Sequence, residues 1–111
     1  MINRFDKTCQ IHMQNLGNVI RKLRDDRKLP LKIVALSINI DQAILSKIER
    51  GQRNATRDQV IKLSDYFKAN QNELLTIWLS EKLVLEVRGE DIALSALKQA
   101  EEIIKQDYKI K

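Results

Sequence analysis

Apolar residues recur along the chain at the three- and four-residue spacing of helices, and no stretch alternates apolar with polar long enough for a strand. Six helical segments follow from this. The first covers about 7–28, with Leu16, Val19 or Ile20, and Leu23 on one face and Ile11 a turn or more earlier. It should close at Asp25-Asp26-Arg27-Lys28, because Leu29 precedes Pro30 and such a residue avoids helical backbone. Pro30 opens a short, unusually apolar second segment through Leu31, Ile33, Val34, Ala35, Leu36 and Ile38. Asn39, which tolerates the left-handed conformation, ends it. Asp41 is a good N-cap for a third segment running from Gln42 to Arg50, with Gly51 as its natural terminator. Thr56-Arg57-Asp58-Gln59 is a capping box, opening a fourth segment through Val60, Ile61, Leu63 and Phe67. Asn70-Gln71-Asn72-Glu73 is a looser version of it and opens a fifth, through Leu74, Leu75, Trp78, Leu79 and Leu83 to Val87. After Gly89 a sixth, from about Glu90 to Asp107, aligns Ile92, Ala96, Leu97, Ala100, Ile103 and Ile104.

Composition narrows the function classes. A chain of 111 residues suits one domain with a short appendage, and a modest core rather than a deep substrate cleft. With one Cys and one His there is no disulfide framework and no Cys/His zinc site, and Cys9 and His12 are expected to be incidental. The first residues lack the apolar core of a signal peptide and no apolar run reaches membrane-spanning length, so the expected setting is reducing and cytoplasmic. Paired catalytic carboxylates, a phosphate-binding glycine loop and a nucleophile elbow are all missing from the pattern; no enzyme and no cofactor is expected. The net charge of +5 is uneven: residues 16–63 carry eleven bases against five acids, residues 64–111 seven against nine. A basic middle suits a polyanion, although a solvated basic face is the plainer alternative.

The stretch 30–51 meets the demands of a helix-turn-helix, whose second helix enters the major groove of DNA. Ala35 is small where two helices would cross, Asn39 permits the sharp reversal, and Ile40 can plug the angle. Leu45 and Ile48 supply a buried stripe, leaving Gln42, Ala43, Ser46 and Lys47 away from it.

From about Leu16 to Leu75 the chain resembles the Xre/Cro family of helix-turn-helix regulators, which includes the λ-type phage repressors. Leu45-Ser46-Lys47-Ile48-Glu49-Arg50-Gly51 with Gln52-Arg53-Asn54 is similar to the family's stretch after the turn. Ile20-Arg21-Lys22-Leu23-Arg24 is similar to its first helix, and Val60–Leu63 with Asn72–Leu75 to its closing helices. The resemblance implies an all-α, λ repressor-like five-helix DNA-binding domain over 16–75. A helical extension, 1–15, would precede it and a helical hairpin, 76–111, would follow.

The resemblance further implies base contacts from Gln42, Ala43, Ile44, Ser46 and Lys47. Gln can pair with adenine, Lys with guanine, and Ile44, at a usually exposed position, with a thymine methyl. Arg50, Gln52, Arg53 and Asn54 would hold phosphates through side chains and backbone amides, joined by Lys32. Where the family often has a phosphate-binding Gln, this chain has Leu31; Leu31 and Ile33 are apolar enough to suggest a protein partner at that edge. Arg24 would pair with Glu49 and clamp the third helix. Lys68 occupies a position often held by Gly, so a strained turn is expected there.

The tail needs cover for its apolar stripes, from the domain's own first helix, extended through Ile11, or from a second copy of the chain; the second is favoured, through Trp78, Leu79, Leu83, Ile92, Leu97, Ile103 and Ile104. Trp78 is equally at home as a core aromatic. The expected function is a sequence-specific, nucleoid-associated transcriptional regulator: a repressor or autoregulator, of the restriction–modification controller or phage type. It would act as a homodimer on a two-fold operator in double-stranded DNA. The alternative is an antitoxin or adaptor working mainly through protein–protein contacts.

Overall fold

The structure is a computed structural model that describes residues 15–110. Those residues form six helices and no strand: α1 Leu16–Asp26, α2 Leu31–Ser37, α3 Gln42–Glu49, α4 Arg57–Phe67, α5 Gln71–Val87 and α6 Ala93–Ile110. The expected N-terminal extension, with Ile11, Cys9 and His12, lies outside the described residues apart from Asn15.

Local sequence accounts for most helix starts. Asn15 has extended backbone and its side chain accepts the Asn18 amide at 2.8 Å, so α1 begins at Leu16 rather than near Lys7. The Leu16 amide donates to the Glu81 carboxylate of α5, placing a negative group at the α1 N-terminus. Glu81 is therefore part of the same compact unit as α1. In the α4 capping box, Thr56 Oγ1 accepts the Gln59 amide at 3.1 Å and Gln59 Oε1 accepts the Thr56 amide at 2.9 Å. Asn70 similarly takes the Glu73 amide at 3.0 Å for α5.

Helices α1 to α4 all end alike. The residue after the last turn is left-handed (Lys28, φ 54°; Asn39, φ 60°; Gly51, φ 75°; Lys68, φ 54°). The next amide then reaches back to a carbonyl five residues earlier: Leu29 to Arg24, Ile40 to Ala35, Gln52 to Lys47, Ala69 to Ser64. At three of these ends the residue contributing that amide, Leu29, Ile40 or Ala69, is apolar and packs against the core. That packing offsets the cost of holding a lysine in the left-handed region, about 1–2 kcal/mol. The strained turn expected at Lys68 is present, and Lys28 supplies a second.

The core draws on the first five helices. Ile20, Val34, Leu45, Val60 and Leu63 are fully enclosed, with Leu16, Ala35, Ile38, Ile48, Phe67, Leu74 and Trp78 around them. Between Val19 and Ile20, Ile20 is the buried one. The chain divides into two compact units between Glu81 and Lys82, within α5. In the second, Gly89 turns the chain at φ 88° and the Glu90 amide donates to the Val87 carbonyl at 3.0 Å. Among its described side chains α6 buries none.

Gly17 has a packing role. It is buried in the first turn of α1, and a Cβ there would lie 2.5 Å from the carbonyl oxygens of both Ile48 and Glu49. Helix α1 thus meets the last turn of α3 backbone to backbone. Gly17→Ala should remove about 3 kcal/mol of stability in urea unfolding, because neither carbonyl can swing aside without uncoiling α3. Unchanged stability would mean that the two helices can separate freely.

Candidate nucleic-acid interface

The turn between α2 and α3 has the three expected parts. Ala35, 2% exposed, lies where the helices meet; Asn39 supplies the left-handed bend; Ile40 rests partly buried on the core. The Asp41 side chain accepts the Ala43 amide at 2.9 Å and starts α3.

α3 is two-sided. Leu45, Ile48 and Glu49 are buried, whereas Gln42, Ala43 and Lys47 are exposed and Ser46 half-buried. Those four residues, spaced one and four apart, share one side of the helix. Ile44 departs from the expectation: it is only partly exposed and leans on the core, so its side chain does not stand free.

Arg50, Gln52, Arg53 and Asn54 are all exposed. The amides of Arg50, Gly51 and Gln52 are taken, donating to Ser46, Ile48 and Lys47 to close α3. Side chains, rather than those three amides, are what this segment offers an anion. Lys32 is exposed in the first turn of α2. Its neighbour Leu31 is partly buried on the core, while Ile33 and Leu36 are 44% and 66% exposed. The apolar edge of α2 is therefore Ile33 and Leu36, not Leu31 and Ile33.

Charge is sorted in the same sense. Arg21, Lys22, Lys62 and Lys105 lie within 4 Å of carboxylates one turn away on their own helices. Among the described residues no ion pair engages Lys32, Lys47, Arg50 or Arg53. Their charge is available to an outside polyanion.

The Arg24–Glu49 clamp is bidentate. Arg24 Nε donates to Glu49 Oε2 at 2.8 Å and Nη2 to Oε1 at 2.9 Å, while Nη1 reaches the Leu29 carbonyl at 3.1 Å. The hydrogen bond to Glu49 is the main cause that raises the Arg24 pKa above its ordinary value; desolvation opposes it, and the charges of Glu49 and Asp25 add to it. The guanidinium stays charged wherever the protein folds.

Of the residues expected on a tail interface, Leu79, Leu83, Ile92, Ile103 and Ile104 are about half exposed or more and Leu97 is half-buried. Trp78 is not on that surface. It is 8% exposed and its indole N–H donates to the Ala55 carbonyl at 2.7 Å, so the core explanation of this aromatic is the right one. Two further residues work without having been singled out. Arg27 donates to the Phe67 carbonyl at 2.8 Å and lies over the Phe67 ring at 5.3 Å, closing the end of α4. Gly17 lets α1 touch α3; a glycine inside an otherwise regular helical stretch was the available signal.

A profile of the helix-turn-helix domain matches residues 17–77, more than half of the chain. The chain belongs to the helix-turn-helix domain family. Like other helix-turn-helix regulators it is a DNA-binding protein of transcription control, from a family that is in general not enzymatic. The fold is also similar to the restriction-modification controller protein C.AhdI from Aeromonas hydrophila, with 29% identity and a TM-score of 0.51. That match covers 53% of this chain and 89% of the controller. No curated protein matches the chain. Among the described residues no helix is long and apolar enough to cross a membrane, and no group of His, Cys, Asp and Glu could hold a metal ion.

With the Glu49 side chain 6% exposed, Arg24→Ala would leave a carboxylate enclosed without its partner. The helix-turn-helix domain should lose about 3 kcal/mol in thermal or urea unfolding. A loss near zero would show that the pair is ornamental to the fold.

Proposed function

We propose that this protein is a sequence-specific transcriptional repressor or autoregulator, of the restriction–modification controller or phage-repressor kind, that reads the major groove with α3. The observation carrying this reading is the two-sidedness of α3: its apolar side and Glu49 are sealed against α1, and Gln42, Ala43, Ser46 and Lys47 remain on the open side. An amide side chain at Gln42 can bond both N6 and N7 of adenine, and Lys47 can reach guanine O6 and N7. Arg50, Gln52, Arg53, Asn54 and Lys32 hold the sugar–phosphate backbone and fix register without reading bases. The likeness to C.AhdI supports the controller reading, being a likeness of sequence as well as of fold.

Two copies act together on a two-fold operator, with half-sites about 34 Å apart. Supporting this, Leu79, Leu83, Leu85, Ile92, Ile103 and Ile104 are at about half exposure or more, and along the apolar stripe of α6 only Leu97 is as much as half-buried among the described residues. An isolated helix of that kind has little stability in water and gains it by burial against a partner.

One observation favours a second reading, an adaptor or antitoxin: Ile33 and Leu36 form an exposed apolar edge beside the turn. Salt separates the two. Affinity of a DNA reader falls log-linearly with salt, by a slope of about 0.9 per phosphate neutralised, while an apolar protein complex barely responds.

Gln42→Ala or Lys47→Ala should cost about 1–3 kcal/mol at the preferred operator and alter the preferred bases, with nonspecific binding little changed. Footprints and affinities identical to wild type for both variants would show that α3 does not read bases. Light scattering at micromolar concentration should return twice the chain mass, falling on deletion of residues 90–111. A monomer indifferent to the deletion would remove the dimer.

A further inference from the structure

The segment between α3 and α4 is short and irregular, yet it carries the phosphate-directed side chains. Its first part is held by the Gln52 amide on the Lys47 carbonyl at 2.8 Å, and its end by the Thr56–Gln59 capping box. Between them Arg53 and Asn54 are exposed and Ala55 is 4% exposed. What draws Ala55 inward comes from a distant helix. Trp78 of α5 donates its indole N–H to the Ala55 carbonyl at 2.7 Å, in a fully buried bond spanning 23 positions. The Arg57 guanidinium lies 5.8 Å from the centroid of the same ring. A buried carbonyl needs a donor, and here the donor is a rigid ring packed in the core.

We propose that Trp78 is a positioning residue for DNA binding. By anchoring the Ala55 carbonyl it sets the depth and direction at which Arg53 and Asn54 meet the phosphate backbone. The inference rests on the reading of those residues as phosphate contacts. The physical logic is that of a preorganised contact: a segment already held at the right height loses less freedom on binding. Trp78 touches no DNA in this account and acts only through Ala55.

The test uses the full chain and a mixed-sequence DNA duplex as probe. Trp78→Phe keeps an aromatic ring and removes the donor, and circular dichroism checks that it folds. Expected results are an affinity lower by about tenfold and a log–log salt slope shallower by about one phosphate equivalent. Adding Arg53→Ala to Trp78→Phe should then cost little, because the contact is already lost, while adding Lys47→Ala should cost as much as it does in wild type. An unchanged salt slope, or fully additive Trp78→Phe and Arg53→Ala effects, would overturn the proposal. If Arg53→Ala leaves the slope of the wild-type protein unchanged, the phosphate reading fails first and the proposal with it. Wild type supplies a second measurement should Trp78→Phe unfold. As the chain has one tryptophan, its single indole N–H resonance is unambiguous. It should exchange slowly with solvent and shift on duplex addition in wild type but not in Arg53→Ala; a resonance that ignores DNA in both proteins refutes the link.

Discussion

The exposed polar side of α3 depends on the contact between α1 and the last turn of α3. At Gly17 the two backbones approach too closely for even a methyl group, and two turns further along α1 Arg24 grips both oxygens of Glu49. One contact is steric and the other charged, yet they converge on the same residues of α3. The third arm of Arg24, on the Leu29 carbonyl, brings the α1–α2 turn into the joint. With its inner side locked at two points, α3 can leave its outer side polar and uncovered without coming loose. The proposed reading of bases by α3 needs such support, because contacts to base edges are made only if the rod keeps its angle when the duplex arrives.

The rest of the domain extends this economy of short connections. Each of the first four helices ends in one left-handed residue, and at three of those ends the apolar residue that follows is pressed on the core. Turns of that kind let four helices reverse direction within a few residues and leave little loose chain. The one longer link, between α3 and α4, is where exposed polar and basic side chains gather, and it too is tied inward through Ala55. Arg21, Lys22, Lys62 and Lys105 have carboxylates one turn away on their own helices, whereas among the described residues no ion pair engages Lys32, Lys47, Arg50 or Arg53. Positive charge left unpaired in this way draws a polyanion to the exposed side of α3 and the segment after it.

Much of this was legible from the residues alone, for a physical reason in each case. Capping is local: Thr56 with Gln59, Asp41 and Asn70 each bond an amide two or three residues away, and short motifs record such bonds directly. Helical periodicity exposed the Leu45–Ile48 stripe and so the polar side of α3. What misled was also physical. Periodicity alone would run α1 back to Lys7, but Asn15 competes for the Asn18 amide and stops it. Leu31 looked like a surface residue of an apolar edge and is turned to the core, while Leu36 is exposed.

The chain order of residues was enough to establish the six helices of the described residues, the helix-turn-helix at 30–51 and the polar composition of its second arm, since these rest on spacing and on bonds within one turn. Where Trp78, Gly17, Glu81 and Ile44 belong could not be read that way. Each acts on a residue about twenty or more positions distant, or on the packed core, and such a pairing exists only after the helices have come together. A tryptophan on an amphipathic helix suits an interface as well as it suits a core. The presence of the Ala55 carbonyl 2.7 Å from its indole nitrogen is what distinguishes them.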